Sequence, residues 1–145
     1  LEELLLASRM QKNVLPSGWP IENGFISSLF GSRTDPFTGR QVRHEGIDFA
    51  GRAGANVRAV AAGIVSVAGP DGGYGNLVEI NHGNGYSTRY GHNSKLLVRA
   101  GDTVTRGQAV ARMGSTGRST GPHVHFEVLY NGVAVDPQSF VQAAR

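Results

Sequence analysis

Short runs of β-branched and aromatic residues, separated by glycine-rich turns, constrain the fold of this chain more than any other feature. Such runs begin at residues 57, 64, 77, 86, 104, 109 and 123. Glycine accounts for 21 of the 145 residues, about double its average usage, and helical periodicity disappears from residue 24 onward. Short strands with turn residues between them predict an all-β fold, an antiparallel sheet or barrel-like sandwich.

The two ends of the chain are less β-like than its middle. Residues 1–13 are the one long stretch of good helix formers and predict a short N-terminal helix; the alternative is the tail of a longer helix or coiled coil. Residues 137–144 suit a closing helical turn. We therefore expect an N-terminal helix with its linker over 1–23 and a single domain over 24–145, a common domain size.

Charge and cysteine content exclude some classes of protein. The net charge of +3 favours an anionic partner such as cell wall, membrane surface or nucleic acid, although ordinary surface charge explains it equally well. The absence of cysteine excludes disulfides and thiolate zinc ligands. No apolar stretch approaches the roughly 20 residues of a transmembrane helix, so we expect no membrane span.

Four of the five histidines fall into three short motifs that together suit a metal-dependent hydrolase. The motifs are HEGID at 44–48, YGH at 90–92 and HVH at 123–125. Imidazoles and a carboxylate are ligands that zinc accepts, and catalytic zinc usually takes three protein ligands and a water. Five candidates therefore supply three ligands and two further imidazoles for proton transfer.

Strand alternation places two of these histidines on one face. His123 and His125 point the same way on a strand, while the apolar residues Val124, Phe126 and Val128 point toward the core. Both imidazoles then line a groove on the opposite face. An isolated His-x-His pair is, however, more often a polar surface pair than a metal site.

The other histidines are ambiguous when each is taken alone. The four-residue spacing of His44 and Asp48 suits one side of a helix, but Gly46 favours an extended or irregular segment that bends both side chains toward one ion. The alternative is a buried Asp48 with His44 on the surface. His92 follows a predicted strand and reads as a loop histidine. His82 lies in a predicted hairpin turn, and we expect no catalytic role for it.

Taken in order, the motifs resemble one family. The chain is similar to the M23 metallopeptidases, the lysostaphin/LytM-type endopeptidases that cut peptide cross-links of bacterial peptidoglycan. The likeness runs from about residue 26 to 137 and rests on HxGxD at 44–48, GANVRA at 54–59, YGH at 90–92, GD at 101–102, GQ at 107–108 and MGxTGxSTGPHVHFE at 113–127.

The resemblance implies roles for the five candidates. His44, Asp48 and His125 correspond to the ligands of one Zn²⁺ per chain, and His92 and His123 to the catalytic pair. We favour His123 as general base, since it stands beside a ligand on one strand, and His92 as its partner or as a stabiliser of the oxyanion. The sequence does not separate these two assignments.

Several residues near the motifs depart from the family or have open roles. Some members carry a tyrosine shortly before the first histidine; residues 37–43 contain none, which leaves oxyanion stabilisation to His92. Asn93 replaces a residue that is more often apolar.

Glu127 is either a partner that orients a ligand or a solvent-facing carboxylate. Residues 114–122 form a demanding turn that places His123. Candidate groove-rim residues for stem-peptide carboxylates are Arg33, Arg40, Arg43 and Arg118, the first three of which lie in a predicted polar loop over 33–43.

The resulting hypothesis is a zinc endopeptidase that hydrolyses peptidoglycan cross-links in an open groove, in the periplasm or secreted, with stem peptides and not nucleic acid as partner. The bond is either a D-amino-acid cross-link or a glycine bridge, and the oligomeric state is open. One alternative is a non-catalytic LytM-like activator of another cell-wall hydrolase. Another is a carrier domain, because residues 101–113 resemble half of a lipoyl barrel; Lys95 lacks the hairpin tip a carrier needs.

Overall fold

The structure, a computed structural model, describes residues 15–117 and 121–141, apart from the side chain of Arg33. More of these residues lie in β-strands than in helices. Their bounds are β1 Phe25–Ser28, β2 Gly31–Thr34, β3 Gln41–His44, β4 Ile47–Ala50, β5 Asn56–Arg58, β6 Gly63–Pro70, β7 Asn76–Gly83, β8 Tyr86–Leu96, β9 Thr103–Val104, β10 Ala109–Met113, β11 His123–Tyr130 and β12 Val133–Val135. A 3-10 turn, Gly72–Tyr74, precedes β7, and one short helix, α1 Gln138–Val141, follows β12.

Ten of the strands form a single antiparallel sheet. Its main path is β1-β4-β11-β8-β7-β6-β9, with β12 beside β11, and with β10 joining β5 to β8. The path ends at β1 and β9, which do not pair with each other, so the sheet is open. This confirms the predicted all-β antiparallel class. No helix within the described residues is long and apolar enough to cross a membrane.

The core covers one face of this sheet. Alternate residues of the central strands are fully buried there, because β-branched and aromatic side chains recur at every second position. Phe49, Tyr90 and Phe126 pack edge-on or tilted against their neighbours, with ring centroids 5.5 Å apart for Tyr90 and Phe126 and 6.1 Å for Phe49 and Phe126. The predicted core positions Val124, Phe126 and Val128 are all buried.

The segment 33–43, expected to be a polar loop, is largely a hairpin. Strands β2 and β3 pair over four residues each, from Gly31 opposite His44 to Thr34 opposite Gln41. The turn is closed by the amide of Asp35, which donates to the carbonyl of Arg40 over 2.7 Å. The loop prediction was wrong because polar composition hid a strand pair whose backbone groups bond each other.

The ends of the chain are partly described. Of the helical turn predicted over 137–144, residues 138–141 form α1, and residues 142–144 lie outside the described residues. The predicted N-terminal helix over 1–13 lies outside the described residues.

Strand register brings distant polar residues into two adjacent rows on the face opposite the core. In the first row, Asp48 of β4 lies opposite His125 of β11, which lies opposite Gly91 of β8. The second row runs from Glu127 of β11 through Arg89 of β8 to Glu79 of β7. Cross-strand neighbours have Cβ atoms about 5 Å apart, so register alone places these side chains within reach of one another.

Candidate metal centre

A tight bend between β3 and β4 carries His44 to the same place as Asp48. β3 ends at His44 and β4 begins at Ile47, which leaves Glu45 and Gly46 as the bend. A Cβ on Gly46 would lie 2.2 Å from the carbonyl oxygen of Phe126. Glycine is therefore required here for close approach to β11, and the extended, bent segment predicted from the sequence is observed.

Three atoms from three strands form a small triangle. His44 Nε2 is 3.2 Å from Asp48 Oδ1 and 3.2 Å from His125 Nδ1, and His125 Nδ1 is 2.8 Å from Asp48 Oδ1. All three residues are less than a tenth exposed. The alternative reading of His44 as a surface residue was wrong.

Hydrogen bonds at the far side of each ring determine which nitrogen faces the triangle. The Nδ1 of His44 lies 2.8 Å from the carbonyl oxygen of Leu29, and the Nε2 of His125 lies 2.8 Å from Oε2 of Glu127. Carbonyl and carboxylate oxygens only accept, so these two nitrogens carry the protons. His44 Nε2 and His125 Nδ1 therefore both face the triangle, and each could bind a cation through its lone pair when that nitrogen carries no proton.

Burial and proximity shift the protonation of this cluster. Burial alone would raise the pKa of Asp48, but hydrogen bonds and charge from His125 and His44 outweigh it and hold that pKa far below its ordinary value. Burial would lower the pKa of His125, whereas Asp48 and Glu127 together raise it to about 9. The carboxylate is thus ionised across the physiological range, and His125 retains a proton unless a cation displaces it.

His92 reaches the site through an unusual backbone conformation. It lies inside β8, which extends to Leu96, and not after a strand end as the sequence suggested. Strict alternation would place His92 on the core face with Tyr90, but its φ of 66° breaks the alternation. Its ring lies 4.7 Å from that of His123, centroid to centroid. A positive φ in a non-glycine residue costs about 1–3 kcal/mol and is typical of functional sites.

A polar brace holds His92 in place. The Nδ1 of His92 donates to the carbonyl of Thr116 over 2.6 Å. The Thr116 hydroxyl donates to the carbonyl of Asn93, and the Asn93 amide donates to the carbonyls of Tyr90 and Asn76. Asn93, the departure from the family's more common apolar residue, thus ties the backbone on both sides of His92. The loop at 114–117 positions His92, a role that the sequence did not indicate.

His123 stands at the start of β11 beside the triangle. Its Nδ1 lies 2.8 Å from the carbonyl of Gly121, so Nδ1 is the protonated nitrogen. Its Nε2 lies 3.9 Å from Asp48 Oδ1. Burial lowers the pKa of the neighbouring His92 to about 4, so His92 is neutral at ordinary pH and presents an unprotonated Nε2.

A second set of side chains contacts Glu127, the hydrogen-bond partner of His125. The Glu127 carboxylate is 3% exposed and accepts the Tyr74 hydroxyl at 3.0 Å to each oxygen. Arg89 donates to Tyr74 over 3.2 Å and forms an ion pair with Glu79. Glu127 is therefore a partner of a candidate ligand and is not solvent-facing. Tyr74 and Arg89 were not predicted from the sequence, because only strand register and the 3-10 turn bring them to Glu127.

A cavity of about 280 Å³ opens over these groups. It is lined by Arg43, His44, Glu45, Gly73, Tyr74, His92, His125 and Glu127. Of the proposed rim arginines, Arg43 contributes to this lining, stacks over the Phe30 ring at 4.8 Å and lies 3.4 Å from Glu45. Arg40 lies in the β2–β3 turn, and the structure does not describe the Arg33 side chain or Arg118.

The donor set suits zinc. Tetrahedral zinc with bonds of about 2.0–2.1 Å holds its ligand atoms roughly 3.3 Å apart, and the sides of the triangle measure 2.8, 3.2 and 3.2 Å. Two imidazole lone pairs and one carboxylate form a ligand set found at catalytic zinc sites, and they leave further positions for water or substrate. His44, Asp48 and His125 could therefore hold the ion.

A comparison with protein families agrees with this geometry. Residues 42–137 match Peptidase family M23, a segment that contains all five candidate residues and covers more than half of the chain. The chain belongs to peptidase family M23. Within that family, it is 45% identical over 121 residues to the peptidoglycan DD-endopeptidase ShyB of Vibrio cholerae, a match that covers 81% of this chain and 28% of ShyB. The chain spans about a quarter of the length of the curated relatives it matches.

Solved structures of family members have the same fold. A zinc-containing peptidase from Vibrio cholerae is 42% identical with a TM-score of 0.74, covering 83% of this chain and 38% of that one. The catalytic domain of the antimicrobial peptidase lysostaphin from Staphylococcus simulans is 33% identical with a TM-score of 0.76, covering 83% of this chain and 93% of that one. The predicted kinship with lysostaphin-type M23 peptidases is thus confirmed.

Proposed function

We propose that this chain is a zinc-dependent endopeptidase that hydrolyses peptide cross-links of peptidoglycan in the bacterial envelope. His44, Asp48 and His125 would hold one zinc ion, and His92 and His123 would handle protons. The observation that carries the proposal is the orientation of four imidazoles. Each donates from its outer nitrogen to a carbonyl or carboxylate, so the inner nitrogens of His44 and His125 face Asp48 Oδ1 and each other within 3.2 Å.

Membership of the family alone does not require catalysis, so the site's completeness matters. When bound, zinc polarises a carbonyl oxygen and lowers the pKa of water to about 7. The residues around the triangle would supply the remaining functions: proton acceptance, substrate orientation and partial exclusion of water. A non-catalytic activator would need none of the hydrogen bonds that set the tautomers of His92 and His123.

The tautomers suggest how the two further histidines divide the work. Both Nε2 atoms are acceptors in the neutral ring, because Nδ1 carries the proton in each. We assign His123 as general base, since it stands beside the candidate ligand His125 on β11 and its Nε2 lies 3.9 Å from Asp48 Oδ1. His123 can then return the proton to the leaving amine. Donation to an oxyanion by His92 would require an imidazolium, which its lowered pKa of about 4 opposes; His92 suits acceptance of a hydrogen bond from water.

The substrate we propose is a D-amino-acid cross-link. A relative at 45% identity is named a peptidoglycan DD-endopeptidase, whereas lysostaphin is 33% identical. The exposed guanidinium of Arg43 at the cavity edge would meet a carboxylate of the stem peptide. Replacement of Arg43 should raise KM more than it lowers kcat, because the contact forms at the rim and not at the reacting atoms.

A substrate screen tests the proposal. The zinc-loaded chain and its His123→Ala variant would be incubated separately with cross-linked muropeptides and with pentaglycine, and the products identified by mass spectrometry. We expect the chain to convert cross-linked muropeptides to monomers, the variant to do so far more slowly, and pentaglycine to remain intact. Cleavage of pentaglycine alone would overturn the substrate assignment. Absence of any cleavage, with zinc bound, would favour the activator alternative.

A further inference from the structure

The two candidate histidine ligands have their tautomers set by acceptors of different rigidity. His44 donates to a backbone carbonyl, that of Leu29, which cannot rotate away. His125 donates to Glu127 Oε2, a side-chain oxygen on rotatable bonds. The orientation of His125 therefore depends on whatever holds the Glu127 carboxylate.

Tyr74 and Arg89 hold that carboxylate together with His125. The Tyr74 hydroxyl lies 3.0 Å from both Glu127 oxygens, and Arg89 Nη1 lies 3.5 Å from Oε1. The Arg89 guanidinium stacks over the Tyr74 ring at 5.7 Å and is fixed by its ion pair with Glu79. Tyr74 itself is seated above Gly91, where a Cβ would come within 3.2 Å of the Tyr74 carbonyl oxygen.

Burial makes this support necessary. Glu127 is buried, so its carboxylate oxygens lose their hydration and need hydrogen-bond donors to stay ordered. Glu127 finds three of them, in His125, Tyr74 and Arg89. Removal of one donor would leave the carboxylate free to rotate away from His125 Nε2.

We propose that Tyr74 and Arg89 are positioning residues for the metal centre, which act through Glu127 to keep His125 in the tautomer that presents Nδ1 to the ion. The inference rests on the proposed zinc site but not on the identity of the bond that is cleaved. Partners of this kind around metal-binding histidines typically change metal affinity by about 10–100-fold.

Zinc affinity measured by competition with a chelator tests the proposal. We expect Tyr74→Phe to bind zinc about 10–100-fold more weakly than the unmodified chain. The control is Tyr130→Phe, which removes a hydroxyl from a half-exposed tyrosine at the end of β11 and should leave the affinity unchanged. Equal affinities of the two variants would overturn the inference.

A double-mutant cycle separates positioning from a general structural role. In a Glu127→Gln background, Tyr74→Phe should change zinc affinity by less than about threefold, because the acceptor through which Tyr74 acts is altered. Equal losses in both backgrounds would show that Tyr74 acts by another route. Circular dichroism of each variant confirms that it folds.

The tautomer of His125 can be measured directly on the unmodified chain. ¹⁵N NMR of the zinc-loaded protein should show His125 protonated at Nε2, with slow exchange of that proton, and coordinated through Nδ1. Coordination through Nε2, or failure to bind zinc, would overturn the inference. The double-mutant cycle could show that Tyr74 and Glu127 are coupled in their effect on zinc affinity while muropeptides are not cleaved. In that case the proposed function fails and this inference stands.

Discussion

The same sheet buries histidines on both of its faces, and the two environments differ in one respect. On the core face, His82 is 3% exposed; its Nδ1 lies 2.7 Å from the carbonyl of Ala62 and its Nε2 lies 2.7 Å from the Thr88 hydroxyl. On the opposite face, His44 and His125 are buried to a similar degree. There, only the outer nitrogen of each ring is bonded to a carbonyl or to Glu127, and the inner nitrogen faces other ligand atoms.

Burial of an imidazole therefore does not identify a site. A chain of hydrogen bonds links His82 to the Thr88 hydroxyl, Thr88 to the Tyr90 hydroxyl, and the Val60 amide to Tyr90. These bonds satisfy the polar atoms of His82 within the core. The candidate site instead brings two imidazole nitrogens and a carboxylate oxygen within 3.2 Å of one another, an arrangement in which a cation can replace the proton of His125. The contrast predicts that substitutions on the two faces have different consequences: loss of metal and activity on one, loss of stability on the other.

The largest effect is expected from removal of the carboxylate. Asp48→Ala should abolish stoichiometric zinc binding and reduce peptidase activity to background, because the triangle loses its one anionic ligand. Zinc content after dialysis, measured by mass spectrometry, checks this. Asp102→Ala, which alters a turn before β9, is the matched control and should retain zinc. Retention of one zinc by Asp48→Ala would refute the ligand assignment.

Removal of the proposed base should separate binding from turnover. His123→Ala is expected to keep its zinc and to lower kcat by about 10²–10⁴-fold, the usual contribution of general acid–base catalysis. Steady-state kinetics with a muropeptide, combined with zinc analysis, measures both. An empty metal site in this variant would mean that His123 is itself a ligand.

Zinc affinity should depend on pH because His125 must lose a proton to bind the ion. Asp48 and Glu127 raise the pKa of His125 to about 9, so the protonated form is favoured below that value and competes with zinc. The apparent affinity should rise about tenfold per pH unit from 6.5 toward 9. Calorimetry in two buffers of different ionisation enthalpy should show about one proton released per zinc at pH 7. An affinity that is flat from pH 6.5 to 8.5 would contradict this.

The smallest effect is expected on the core face. His82→Phe keeps the ring volume but leaves the Ala62 carbonyl and the Thr88 hydroxyl without their partner, which should lower the free energy of unfolding by roughly 1–3 kcal/mol. Zinc affinity and kcat should not change. Urea denaturation tests the expected loss of stability, and zinc titration of the same preparation tests the unchanged affinity. A weakened zinc site would show that the two faces are coupled.

The sequence predicted the class of fold but missed some of its strands. Runs rich in β-branched residues marked β6, β7 and the start of β8 correctly, because such residues pack well on a pleated surface. Strands β2 and β3 were missed, since their polar side chains carry no alternating pattern and their stability comes from backbone pairing. His82 was expected in a turn but ends inside β7, because the Asn-Gly turn itself lies two residues later.

The candidate residues named from the sequence lie together in the structure, but the groups that hydrogen-bond to them were not predicted. The alternation of β11 placed His123 and His125 correctly, and resemblance to the family supplied His44, Asp48 and His92. Nothing local to the sequence indicated that Thr116 fixes the ring of His92, or that Tyr74 reaches Glu127. These contacts join residues 24 and 53 positions apart, and they form because a loop and a 3-10 turn outside the strands pack against the sheet.

The most direct test of the account is the position of the ion. A crystal of the zinc-soaked chain would be measured on both sides of the zinc absorption edge, so that an anomalous difference map locates zinc. We expect one strong peak about 2.0–2.2 Å from His44 Nε2, Asp48 Oδ1 and His125 Nδ1, with His92 and His123 outside bonding distance. A peak bonded to His123 or His92, or no peak within the triangle, would contradict it.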